Sequence, residues 1–386
     1  MNMRLLAGLL FAVSVVGFSL GASLPLVSLR LHEAGAGTLE IGIISAIPAA
    51  GMMLSAFMVD ACCRLLTRRT IYLLCFSLCT VSIALLESAF SSIWLLAVLR
   101  LGLGIGMGIA IILGESWVNE LCPDHNRGKI MALYATSFTG FQVLGPAMLA
   151  VFGANSPWIT GVVTLCYGLA LLCILFTVPN DRVAHGDEGE KSFGLAGFFR
   201  VAPALCVAVL FFSFFDAVVL SLLPVYATSH GFAVGVAALM VTVVFAGDMV
   251  FQLPLGWLAD RVERTGLHLV CGLVAMAIGI ALPWLLQMTW LLWPLLVVLG
   301  AVAGGIYTLA LVLIGQRFKG QDLVTANASV GLLWGVGSLV GPLVSGAAMD
   351  VAPHGLPMAL AIMAGLFVCF ARQSYRRAGK LRALAD

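Results

Sequence analysis

The sequence predicts an all-α polytopic membrane protein with about twelve transmembrane helices in two pseudo-symmetric six-helix bundles. Three observations carry this. Hydrophobic residues make up 61% of the 386 residues and charged residues only 10%, with a mean hydropathy of +1.09, whereas a soluble domain carries about 25% charged residues. Apolar stretches near the roughly 20 residues needed to span a bilayer recur along the whole chain. The basic residues are also sorted by side. With a cytoplasmic N-terminus, eighteen of the twenty Lys and Arg fall in cytoplasmic stretches, and only Arg30 and Arg100 do not. Short basic loops resist translocation, so the asymmetry orients the chain with both termini cytoplasmic.

The expected spans are 5–29, 39–59, 70–89, 93–117, 130–152, 158–178, 201–228, 234–258, 267–286, 290–314, 323–349 and 355–373. Twelve spans leave about 32 residues for each span and its loop, so there is little room for a soluble domain. Arg4 and the apolar run from Leu5 resemble a signal peptide. The run continues for about 20 residues, beyond the 7–15 of a typical signal core, so it reads as an uncleaved first span. The turns at 90–92 and 155–157 are very short. The polar segment 179–200 is a cytoplasmic linker between an N-terminal bundle, 1–178, and a C-terminal bundle with a short basic tail, 201–386. Trp94, Trp158, Trp284, Trp290 and Trp293 fall at external span ends, and Trp117 and Trp257 at internal ends, as interfacial aromatic belts do.

The halves read as repeats. The first span ends Ser23-Leu24-Pro25-Leu26, followed by His32 and Gly35; the seventh ends Leu222-Leu223-Pro224-Val225, followed by His230 and Gly231. The second ends at Asp60 with Arg64 four residues on, and the eighth at Asp260 with Arg264 four residues on. The fifth carries Gly145-Pro146 and the eleventh Gly341-Pro342. Parallel six-helix repeats are one transporter architecture.

Gly256-Trp257-Leu258-Ala259-Asp260-Arg261 resembles the Gly-x-Leu-Ala-Asp-Arg loop motif of the major facilitator superfamily. Arg100-Leu101-Gly102-Leu103-Gly104-Ile105-Gly106 resembles its fourth-helix Arg-Gly motif, and Gly140 to Gly145-Pro146 is similar to its fifth-helix Gly-Pro motif. Glu115-Ser116-Trp117, Asn119 and Asn126-Arg127-Gly128-Lys129 resemble a poorly characterised group of bacterial permeases, relatives of which are linked to riboflavin or copper uptake. The resemblance implies the superfamily's fold, alternating access and the bacterial inner membrane. It implies a gating motif at Gly256, Asp260, Arg261 and Arg264, with Asp60 and Arg64 as first-half counterparts. The first half departs from the pattern at Ala56 and Ala61. Asp260 stands at a helix end, where a carboxylate can cap a neighbouring helix N-terminus. The resemblance makes that a latch against the fifth span, near Asn126–Gly128.

Charges inside spans are costly and usually functional. Asp216 and Asp248 lie about 15 and 14 residues into their spans, roughly 21–23 Å along and near mid-membrane. A carboxylate at that depth can hold and release a proton or touch the solute; pairing with a polar neighbour is the structural alternative. Arg100 lies in the fourth span and Glu87 near the end of the third, so the two can pair; the resemblance instead ties Arg100 to proton coupling. Glu115 is expected to bridge to Arg127 or Lys129, and Arg30 to be an external surface charge. Gly145, Pro146, Gly341 and Pro342 are candidate hinges, since Pro interrupts the helical ladder. Gln142, Phe215, Phe245, Gln252, Tyr307, Asn327 and Trp334 are candidate cavity-lining residues, each with ordinary helix packing as the alternative. Together they suit a planar or amphipathic solute.

No phosphate-binding loop and no zinc-like Cys-x-x-Cys pair is present, so neither a cofactor nor a metal is expected. The ten Cys are scattered and read as small hydrophobes, Cys75 and Cys79 on one helix face. A membrane-embedded enzyme needs a side-chain cluster, and the six His are dispersed, with His32, His230 and His354 in external loops. A receptor or scaffold would add a soluble domain. The expected function is a proton-coupled secondary active transporter of a small organic solute. Vitamin uptake such as riboflavin, drug or metabolite efflux and copper import are the alternatives. The expected partners are the solute, protons and the lipid bilayer, with no nucleic acid, and the chain is expected to be a monomer.

Overall fold

Lipid offers the backbone no hydrogen bonds, so a chain this apolar satisfies its peptide groups within helices. A computed structural model describes residues 3–121, 127–181, 195–319 and 321–382. Its described residues form fifteen helices and no strand. They are α1 (Met3–Glu33), α2 (Thr38–Leu65), α3 (Arg68–Ala84), α4 (Leu86–Ala89), α5 (Ile93–Leu121), α6 (Arg127–Phe152), α7 (Pro157–Thr177), α8 (Leu195–Val201), α9 (Pro203–Ser221), α10 (Leu223–Ser229), α11 (Val234–Ala259), α12 (Arg264–Leu285), α13 (Thr289–Arg317), α14 (Gln321–Val351) and α15 (Gly355–Arg382). Eleven of them are long and apolar enough to cross a membrane.

Twelve spans were expected, and local chemistry explains the difference. The third is interrupted: α3 ends at Ala84 and α4 resumes at Leu86, leaving 17 residues in α3. The seventh is divided at Leu222, because Pro224 in the first turn of α10 has no N–H to extend the ladder of α9. Part of the expected loop 179–200 is helical. Phe198 of α8 is buried with its ring edge-on to Phe318 at 5.6 Å, which ties this apolar turn down. Residues 182–194 lie outside the described residues. The basic tail continues α15 to Arg382 rather than leaving the helix at 373.

The chain divides into two compact units. One comprises Met1–Ala36, Ile43–Gly186 and Ala233–Leu239; the other Gly37–Gly42, Asp187–Phe232 and Met240–Asp386. Small residues set the closest helix approaches in each. In the first unit Gly17, Gly21 and Gly145 bring α1 against α6, and Gly51, Gly104 and Gly108 bring α2 against α5. In the second, Gly337 and Gly341 bring α14 against α9, and Gly247, Gly300 and Gly304 bring α11 against α13. The repeat extends to the turns. Ala36 N–H donates to the Leu31 carbonyl at 2.9 Å across Gly35, and Phe232 N–H to the Ala227 carbonyl at 3.2 Å across Gly231. Both glycines take positive φ, +83° and +89°, as this helix-ending motif requires.

Trp117 corrects the aromatic-belt expectation. It is 1% exposed and stacks on Tyr72 at 4.8 Å, with the Arg68 guanidinium 5.0 Å over its ring. Trp94, Trp158, Trp257, Trp284 and Trp290 are exposed.

Candidate functional site

Arg100 stands on α5 and is 1% exposed. Its Nη1 donates to Ser23 Oγ on α1 at 3.2 Å. Its Nε and Nη2 are buried and reach no acceptor among the described residues. The expected pairing with Glu87 is not formed. Glu87 forms an ion pair with Arg30 and accepts from Thr160 Oγ1 at 2.8 Å. Arg30 is therefore no free surface charge. Its Nε donates to the Ala154 carbonyl at 2.7 Å and its guanidinium covers the Phe90 ring at 4.9 Å. Arg30 clasps together the end of α1, the short helix α4 and the turn between α6 and α7. Glu87 is engaged there, and Arg100 forms no ion pair among the described residues.

Asp248 is the corresponding buried charge of the second unit, though on a different helix of the repeat. It is 7% exposed on α11, and its Oδ1 is buried without a hydrogen-bond partner among the described residues. The backbone of Gly304 on α13 lies against this carboxylate, so closely that a β-carbon there would overlap it. At the corresponding crossing of the first unit a β-carbon on Gly104 would overlap the backbone carbonyl of Pro48. The two pairs are offset by 200 residues, as are Asp60 and Asp260. Asp216 is 5% exposed on α9, beside Phe215, which stacks on Phe211 at 6.0 Å.

The expected cavity-lining residues divide by place. Tyr307 of α13 and Trp334 of α14 come together at 5.1 Å between ring centroids. Phe212 of α9, which the sequence reading missed, completes the cluster, stacked on Tyr307 at 4.9 Å and edge-on to Trp334 at 5.4 Å. Phe212 lies four residues before Asp216, so helical periodicity pointed to it. Phe215, Phe245 and Gln142 are buried, Gln252 is half-buried and Asn327 is exposed.

The gating motif is asymmetric. Arg264 Nη2 donates to Asp260 Oδ1 at 2.8 Å and its Nε to the Ala259 carbonyl at 3.0 Å, while Arg261 stacks over Trp257 at 3.8 Å. A β-carbon at Gly256 would meet nothing within 4 Å. Asp60 and Arg64 are exposed and form no ion pair among the described residues. The first unit relies instead on Arg68, whose Nη2 donates to Glu120 at 2.8 Å and 3.1 Å, and on Arg69, whose Nε donates to the Val178 carbonyl at 2.7 Å. Asn126 and the side chains at 127–129 lie outside the described residues, and with them the expected latch of Asp260 near Asn126–Gly128 and the expected bridge of Glu115 to Arg127 or Lys129. Gly145 and Gly341 are close-packing points: a β-carbon on Gly341 would lie 2.9 Å from the Phe214 carbonyl oxygen.

Two histidines read as dispersed are adjacent. The His230 and His354 rings stack at 5.4 Å, and Tyr226 Oη lies 3.0 Å from His354 Nδ1. No group of three or more His, Cys, Asp or Glu suited to a metal occurs among the described residues.

Spanning helices in two repeated bundles, with lone charges buried among them, define a polytopic carrier. The chain belongs to the Major Facilitator Superfamily, whose model matches residues 9–239 and again 205–383. It is a membrane transporter of that superfamily. It is 25% identical over 352 residues to the uncharacterised MFS-type transporter YfkF of Bacillus subtilis (strain 168), covering 88% of this chain and 87% of that one. Among solved structures, the nucleoside transporter NupG superposes with a TM-score of 0.72 at 14% identity, covering 97% of this chain and 98% of that one. A D-xylose-proton symporter superposes with a TM-score of 0.66 at 19% identity, covering 95% of each. These two likenesses carry the fold.

Proposed function

We propose that this transporter is a proton-coupled secondary carrier of a small organic solute in the bacterial inner membrane, with both termini cytoplasmic, working by alternating access. The observation that carries the reading is a buried charge in each unit whose atoms reach no hydrogen-bond partner among the described residues, Arg100 Nε and Nη2 in one and Asp248 Oδ1 in the other. Such groups are costly in a membrane bundle, and a cost of that kind is retained for ion or solute handling. Asp248 is the proposed proton carrier, Arg100 and Asp216 contact solute or proton, and the Phe212, Tyr307 and Trp334 rings form the apolar face offered to the solute. In this reading 1–178 and 201–386 are the moving bundles and 179–200 their linker. Bending at Gly145-Pro146 and Gly341-Pro342 belongs to the same proposal, as does gating at Gly256, Asp260, Arg261, Arg264, Asp60 and Arg64.

The test is solute accumulation in vesicles of known orientation, with and without an imposed pH gradient, starting from vitamins and nucleosides. A gradient-dependent accumulation that Asp248→Asn abolishes is expected. Accumulation indifferent to the gradient would sink proton coupling, and its direction separates an importer from an efflux carrier.

A further inference from the structure

We infer that the transported solute carries a single carboxylate, received side-on by the Nε and Nη2 edge of Arg100. The inference rests on the carrier reading above and adds the chemical class of the solute. In a guanidinium the N–H bonds of Nε and Nη2 run parallel along one edge, spaced for the two oxygens of a carboxylate. These are the two nitrogens that find no acceptor among the described residues. Nη1 is engaged by Ser23 Oγ. That bond fixes the rotation of the guanidinium about its stem and keeps the side-on edge available.

Among the described residues no acid supplies the missing oxygens. Glu87 is held by Arg30 and Thr160, Glu120 by Arg68, and Glu33 accepts from Asn155. Glu115 stands on the same helix as Arg100 but fifteen residues along, roughly 22 Å away. A lone lysine would place a point charge here, whereas arginine offers a planar fork that selects a planar anion. One guanidinium matches one negative charge, which argues for a monocarboxylate over a phosphate ester. Leu103, one turn along α5 from Arg100, is buried and apolar, so this stretch of the helix adds no second charge to the site.

The experiment uses the purified full-length chain and matched pairs of small carboxylic acids and their primary amides, such as benzoate with benzamide and nicotinate with nicotinamide. Thermal shift and isothermal titration report binding. Stabilisation is expected from acids and not from their amides. Arg100→Lys should weaken acid binding about tenfold, because a point donor cannot reproduce the fork. Ser23→Ala should weaken it less, since the charge remains. Amides that bind as well as their acids, a set in which no acid binds, or an Arg100→Lys variant that binds as the wild type does would each overturn the inference. Accumulation in proteoliposomes separates this failure from failure of the carrier reading. A neutral solute accumulated while acids are ignored removes the carboxylate and leaves the carrier. Acid binding without accumulation under any gradient removes the carrier and leaves the binding site.

Discussion

Gly304 lies against Asp248 so closely that a β-carbon on the glycine would overlap the carboxylate. Gly304→Ala must therefore displace the acid or spread α11 from α13. Overpacking of this kind costs about 1–3 kcal/mol. A lower Tm in detergent and a loss of gradient-driven accumulation are expected. Gly315→Ala is the control, because its β-carbon would meet nothing within 4 Å. If the two variants melt alike, the crossing is looser than described.

Asp248→Asn separates stability from transport. The aspartate buries Oδ1 without a hydrogen-bond partner among the described residues. Burying an unpaired ionised group is costly, and the amide keeps the shape without the charge. The variant is expected to melt no lower than the wild type, and to exchange solute across the membrane while failing to concentrate it. Solute counterflow beside uphill uptake checks this. A variant that still concentrates solute removes Asp248 as the proton carrier.

Glu87 predicts the opposite pattern. Its carboxylate joins Arg30 and Thr160 rather than Arg100. Glu87→Ala leaves Arg30 with the Ala154 carbonyl and the Phe90 ring and should cost about 1–3 kcal/mol, as for a hydrogen-bonded charge losing its partner. Tm should fall while the KM for uptake at low temperature stays unchanged. A raised KM with an unchanged Tm would assign Glu87 to the transport path.

Asp260→Asn tests the gate. The Asp260–Arg264 pair bridges the turn between α11 and α12 at an exposed site, where ion pairs contribute about 0.2–1 kcal/mol. Stability should therefore hold. Slower transport with an intact Tm would support the latch, and unchanged kinetics would end it.

The fold was legible because lipid reduces it to apolar lengths and the side on which basic residues lie. Both signals survive in a single sequence. Breaks at Leu85 and Leu222 were less legible, since a proline can be absorbed inside a helix, as Pro25 is in α1, or divide it, as Pro224 does. The candidate site was legible as single residues and not as partners. Arg100 and Asp248 stood out as charges within spans. That Glu87 belongs to Arg30 depends on the turn after α6 arriving beside α1, and no spacing in the sequence encodes it. The same holds for the Phe212, Tyr307 and Trp334 rings, drawn from three helices, and for the stacked pair of His230 and His354.

The 200-residue offset has a consequence for descent. Position 100 holds arginine and its counterpart 300 holds glycine; position 248 holds aspartate and its counterpart 48 holds proline. The two halves are no longer interchangeable, because each charge occupies a place that its sister half fills with an uncharged residue. A symmetric pair built from the first half alone would carry two buried cations, and one from the second half two buried anions at the Asp248 position. Opposite signs at these two places require copies that have diverged, so fusing them into one chain also secures a one-to-one ratio that two separate genes would have to maintain by expression.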